Sequence, residues 1–147
     1  MTLEELEKRV KELEDRDEIK EMHRAYLFYI QNLEIDEALK SFSRNMVVEI
    51  AHYEIRKGIE DVTKFFKDVI RKNVSGSKEG HFTGQPVISV DGDRAKGHWM
   101  FYRFIPRPSE NRWIQGRYDC EYIKEDGSWK FSRMKLTRPW PSFFAEE

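Results

Sequence analysis

"GHFTGQPVISVDGDRAKGHWMF", residues 80–101, carries the reading of the fold. "QPVISV" and "RAKGHWMFYRFI" are apolar-rich runs flanking Asp91-Gly92, a strong two-residue hairpin signal. Pairing across that turn puts Ile88 and Val90 on the core face. Strict alternation then sends His81 to the opposite face. Pro86 cannot donate to a sheet ladder and commonly marks a bulge, and one bulge there turns His81 inward.

The β pattern continues downstream. "RWIQGRYDCEYIKE" and "SWKFSRMKL" flank Asp126-Gly127, a second hairpin signal. The tail, "TRPWPSFFAEE", holds Trp140, Phe143 and Phe144, too much aromatic surface for a free end, and is expected to pack on this subunit or a neighbour.

Upstream the pattern is helical. Leu3, Leu6, Val10 and Leu13 form a narrow stripe, predicted to break at residues 15–17. A broader aromatic stripe resumes with Ile19, Met22, Tyr26, Tyr29, Ile30 and Leu33. Asp36 is placed to N-cap a helix through "EALKSF", "MVVEIA" reads as a strand, and "IEDVTKFFKDVIRK" as a helix. "NVSGSKEG" reads as a loop. Helices followed by long strands predict an α+β fold: a cone-shaped barrel, with a curved antiparallel sheet wrapped around N-terminal helices and enclosing a pocket. One domain is expected over residues 1–147, with a helical extension at 1–15 and the aromatic tail at 138–147.

The 147 residues suit one domain, able to bury about 68% of the unfolded surface. Charges nearly cancel, 26 Lys+Arg against 27 Asp+Glu, which argues against a generic nucleic-acid or membrane-surface binder. Aromatics reach 14%, high for so polar a chain, and suggest an aromatic-walled cavity. The N-terminal run lacks an apolar segment of signal-peptide type, so a cytoplasmic location is expected. Cys120 is the single cysteine and reads as a buried, inert thiol.

His81 opens a strand after a glycine-containing loop. Imidazole titrates near neutrality and suits proton abstraction. Tyr26 and Tyr29 lie on the aromatic helix, where a phenol in a cavity can donate to a substrate oxygen or serve as plain core. Trp99 and Tyr118 come from two strands and read as pocket wall or core. His23, His52 and His98 lack metal-motif spacing, and neither a metal nor a cofactor is expected.

"IKEMHRAYLFYIQNLEIDEALKSFSRNMVVEI", "GIEDVTKFF", the stretch at 80–101 and "GRYDCEYIKEDGSWKFSRMKL" together resemble the SnoaL-like branch of the nuclear transport factor 2-like superfamily, over roughly residues 10–138. Within that branch the chain looks most like the bile acid 7α-dehydratases, through "MTLEE", the loop into the strand at 80–86 and "YIKEDGSW". It looks more distantly like the scytalone dehydratases and hexachlorocyclohexane dehydrochlorinases. The resemblance implies a cofactor-independent lyase acting on a small hydrophobic cyclic, steroid-like or polyketide-like molecule. His81 matches the base and Tyr26 the hydrogen-bond donor, while Trp99 and Tyr118 match pocket-lining positions. Gln31 stands where the family has the aspartate that orients the base, with Asp36 five residues on. An amide fixes a tautomer but brings no charge, so a weaker base is expected. Two alternatives follow: a ligand-binding protein without chemistry, and an assembly subunit like those of ring-hydroxylating oxygenases. A homotrimer, or failing that a dimer, is implied.

Overall fold

The structure, a computed structural model, describes residues 1–138; Trp140, Phe143 and Phe144 lie outside the described residues. Helix α1 spans Leu3–Gln31 without interruption. It opens on a capping box in which the Thr2 hydroxyl accepts from the Glu5 N–H and the Glu5 carboxylate accepts from the Thr2 N–H. No break occurs at residues 15–17, where the charge run predicts one. The run contains neither proline nor glycine. Asp15 is buried there and accepts from Trp129 Nε1 at 2.9 Å, Lys124 Nζ at 3.1 Å and Lys11 Nζ at 3.0 Å.

The chain continues through α2 (Ile35–Leu39), β1 (Phe42–Ile50), the short β2 (Arg56–Lys57) and α3 (Ile59–Phe65). Helix α3 runs on as a π-type turn at Phe66–Ile70 and a 3-10 turn at Arg71–Asn73. Asp36 is not an N-cap. Glu34 takes that position without a side-chain bond, and Asp36 pairs with Lys67 at 3.2 Å.

Four long strands follow: β3 (Gly80–Asp91), β4 (Arg94–Ile105), β5 (Arg112–Glu125) and β6 (Ser128–Thr137). They form two hairpins joined by an antiparallel β4–β5 pair. The second turn is Asp126-Gly127, both residues at positive φ as a tight hairpin turn requires. The first falls one residue later than its signal, at Gly92-Asp93, because Asp91 still pairs with Arg94.

The sheet order is β2-β1-β6-β5-β4-β3. The sheet is mixed rather than wholly antiparallel, since β1 runs parallel to β6, and it is curved but not closed into a barrel. The parallel pair arises because α1 and α2 deliver β1 to the free edge of the second hairpin.

The predicted bulge is present. Gly84 pairs with Met100 but Val87 pairs with His98, so β3 carries one extra residue, and Gln85 adopts φ +50°. Inward positions therefore switch from Ile88 and Val90 to Thr83 and His81. The core between α1 and the sheet is aromatic: Tyr26, Phe42, Phe66, Tyr122, Trp129 and Phe131 are all buried. Phe131 contacts His23, Tyr26, Phe42 and Tyr122 with centroid distances of 5.3–5.9 Å, in the range of favourable edge and tilted ring pairs. Gly97 leaves room for Tyr122, whose hydroxyl would lie 2.8 Å from a Cβ there. No helix among the described residues is long and apolar enough to cross a membrane.

Candidate functional site

The open end of the sheet and the C-terminal half of α1 enclose a cavity of about 270 Å³. Leu27, Ile30, Ile70, Phe101, Ile105 and Leu136 supply apolar wall. Tyr26, Tyr118 and His81 supply polar atoms. Four arginines, Arg103, Arg107, Arg112 and Arg138, also border it, with Glu79 as the acidic neighbour.

His81 is turned inward, its side chain 4% exposed. Its Nε2 lies 2.9 Å from Glu79 Oε1. Glu79 sits at the bend just before β3, two residues from His81, so an extended backbone puts both side chains on one side. The Glu79 carboxylate is fully buried. Oε1 also accepts from Arg103 Nε at 2.5 Å, and Oε2 accepts from Arg103 Nη2 at 2.9 Å and from the Ser75 N–H at 2.5 Å. Four donors thus fill the lone-pair capacity of one carboxylate, and Arg103 meets it as a two-pronged fork. Burial alone would push the Glu79 carboxyl up. The hydrogen bonds from His81, Arg103 and Ser75, with the charge of Arg103, outweigh it and hold Glu79 well below the usual carboxylate range.

An ionised carboxylate only accepts, so Nε2 of a neutral His81 must carry the proton and Nδ1 the lone pair. Nδ1 is shielded from water and has no hydrogen-bond partner among the described residues. A buried acceptor left unmade costs about 1–3 kcal/mol.

Gln31 does not touch the imidazole nitrogens. Its Oε1 accepts from the backbone N–H of His81 at 2.9 Å. β3 is an edge strand, and Gln31, the last residue of α1, satisfies an amide that no neighbouring strand pairs. The expected missing acid is therefore supplied from elsewhere, by Glu79. Sequence reading passes over Glu79 because it lies within what looks like a loop. The available signal was its two-residue spacing from His81.

Tyr26 and Tyr118 both border the cavity, and neither hydroxyl has a hydrogen-bond partner among the described residues. Burial pushes both hydroxyls up, so both remain donors. Tyr29 and Trp99, expected as possible walls, do not line it. Tyr29 packs partly buried against the outside of the core. Trp99 stacks on His23 at 4.3 Å and donates through Nε1 to the Tyr122 hydroxyl at 3.0 Å. Cys120 is buried, and burial pushes its thiol up, so it stays protonated. His52 borders the cavity, and His98 pairs with Asp119 across strands on the outer face. Among the described residues no group of three His, Cys, Asp or Glu is placed to hold a metal ion.

Solved structures share this architecture. One is a nuclear transport factor 2-like protein with a cystatin-like fold from Novosphingobium aromaticivorans (TM-score 0.81, 18% identity, 97% of this chain and 93% of that one). A second, from the same organism, is provisionally called a scytalone dehydratase (TM-score 0.77, 20% identity, 92% and 90%). A third is a hexachlorocyclohexane dehydrochlorinase from Novosphingobium barchaimii (TM-score 0.79, 15% identity, 95% and 97%). At these identities the likeness is one of fold. No curated protein matches the chain in sequence. The SnoaL-like domain model matches residues 11–135, most of the chain and the part that holds Glu79, His81 and Tyr26, and the chain belongs to the SnoaL-like family.

Proposed function

We propose that the protein is a cofactor-independent lyase of the dehydratase type, acting on a small, largely apolar cyclic molecule. The observation that carries this reading is the imidazole of His81 held through Nε2 by a buried carboxylate at a cavity wall, with Nδ1 unpartnered. In the reaction, His81 Nδ1 takes a proton from the carbon beside a carbonyl or similar electron-withdrawing group. The C–H electrons form the new double bond, and the β-leaving group departs with its own bonding pair. Tyr26 donates a hydrogen bond to the carbonyl or the leaving group, where negative charge develops. Glu79 acts as a positioning residue, fixing the ring tautomer and stabilising the imidazolium that forms. A departing hydroxide takes the proton from that imidazolium and leaves as water, which restores the base.

Arg107 and Arg138 at the opening favour substrates with an anionic or carbonyl-rich end. The modest cavity, near the low end of ligand pockets at about 300–1,000 Å³, favours one or two rings over a large polycycle. The finer likeness to the bile acid 7α-dehydratases rests on the sequence stretches at 1–5, 80–86 and 122–129 and belongs to this proposal. The ligand-carrier alternative drew on Gln31 in place of an acid; with Glu79 at the ring, that observation no longer favours it.

The test is a panel of small cyclic β-hydroxy ketones and β-hydroxy acids, followed by absorbance of the conjugated product. Saturable turnover is expected, and Tyr26→Phe should lower kcat about 10²-fold, the effect of removing one donor to a developing oxyanion. Compounds that raise the melting temperature but are not turned over would speak against a lyase.

A further inference from the structure

We infer that the first four turns of α1 form a parallel, two-stranded zipper with the same segment of a second copy of this chain. Leu3, Leu6, Val10 and Leu13 are 72%, 49%, 44% and 67% exposed. The protein's own core cannot cover them. Asp15, Ile19, His23, Tyr26 and Ile30 define the face of α1 that packs on the sheet. At about 100° per residue, the apolar stripe points about 160° away from that face. A single helix buries its stripe on one side only, and here the two ends of one continuous helix present opposite sides.

The spacing is that of a heptad seam. Leu3 and Val10 occupy the first core position, and Leu6 and Leu13 the second. A β-branched residue at the first position with leucine at the second favours two strands. The seam ends after two heptads, where Asp17 and Lys20 fall on the next core positions.

The flanking charges choose the partner and its direction. Glu7 and Glu14 border one side of the seam, and Arg9 and Arg16 the other. None of the four makes an ion pair within the chain among the described residues, although Lys11, Glu21 and Arg24 on the same helix do. In a parallel pair of identical helices, Arg9 of each copy faces Glu14 of the other. An antiparallel pair would set glutamate against glutamate and arginine against arginine. The sequence is therefore self-complementary in the parallel arrangement alone.

Sedimentation of the full chain across a concentration series, at low salt, tests this. A concentration-dependent dimer is expected, since two heptads give a weak seam. Leu6→Glu together with Leu13→Glu should abolish it with an unchanged melting temperature at the monomer limit, because neither side chain touches the core. Arg9→Glu alone and Glu14→Arg alone should each weaken the dimer about fivefold or more, and mixing the two variants should restore it, because each mismatch then meets its complement. A wild-type protein that stays monomeric overturns the inference. So does an assembly that survives Leu6→Glu with Leu13→Glu, or one that the charge variants weaken and mixing fails to rescue.

Discussion

Glu79→Gln is expected to damage the protein twice, in stability and in turnover. The carboxylate takes four hydrogen bonds from His81, Arg103 and Ser75 in a fully buried position. A carboxamide has one acceptor oxygen and directs two N–H groups at donors. Arg103, 18% exposed, then loses its buried counter-charge. Removing one partner of such a pair costs about 3–5 kcal/mol, which urea denaturation would register. Turnover, measured well below the new melting temperature, should fall about 10²–10⁴-fold in kcat. The reason is that an amide no longer forces the proton onto Nε2, so Nδ1 ceases to be a reliable acceptor. KM should change little, because the substrate meets the cavity wall rather than this carboxylate. His81→Ala should cost kcat at least as much, with a smaller loss of stability, since Glu79 then keeps Arg103 and Ser75. Glu79→Asp should recover part of kcat. A Glu79→Gln protein that loses stability yet keeps kcat would reduce Glu79 to a structural anchor.

The second large effect is on stability against pH, and it comes from His23. This residue is fully buried beneath Trp99, Tyr118, Tyr26 and Phe131. Nδ1 lies 3.4 Å from the Tyr122 hydroxyl, and Nε2 has no partner among the described residues. Burial drives its pKa down from 6.5 to about 3. The unfolded chain therefore takes up a proton as pH falls through 6.5, while the folded chain resists until about pH 3. Over that window the unfolded state binds more protons, so stability rises with pH and is lost on acidification. The loss should reach about 2 kcal/mol by pH 5. Glu79, Asp15 and Asp119, where burial is outweighed by donated hydrogen bonds, also weaken the fold in acid, as pH falls through the ordinary carboxylate range and below it. The interval from pH 6.5 to about 5 lies above that range, where the buried His23 gives the slope its largest resolved cause. In His23→Leu, urea unfolding followed by tryptophan fluorescence should show a clearly shallower profile there. A slope as steep as that of the wild-type protein would assign the pH dependence to another group.

Much of this architecture is legible in the residues, for identifiable reasons. Asp-Gly pairs between alternating runs mark both hairpins, because tight turns demand positive φ. Pro86 marks the bulge because it cannot donate to a ladder, and the bulge decides that His81 faces in. Three features escape such rules. The run at 15–17 looks like a break, yet Asp15 is held by a tryptophan and two lysines, two of these partners more than a hundred residues away. The β1–β6 pairing is parallel, which no local signal encodes. Gln31 occupies the sequence position of an orienting acid, but a side chain at a helix end can reach either a ring or a strand edge. It takes the strand edge, and the acid comes from Glu79 on the segment leading into β3. Spacing within an extended segment would have flagged that pair; helix-based reasoning directs attention to the wrong element.

The most direct measurement is the tautomer of His81, read by nuclear magnetic resonance on protein with ¹⁵N-labelled histidine and assigned by difference against His81→Ala. In the neutral ring a protonated Nε2 and a bare Nδ1 are predicted. A His81 that instead carries its proton on Nδ1 would leave its lone pair on Nε2, facing Glu79, and would contradict the account.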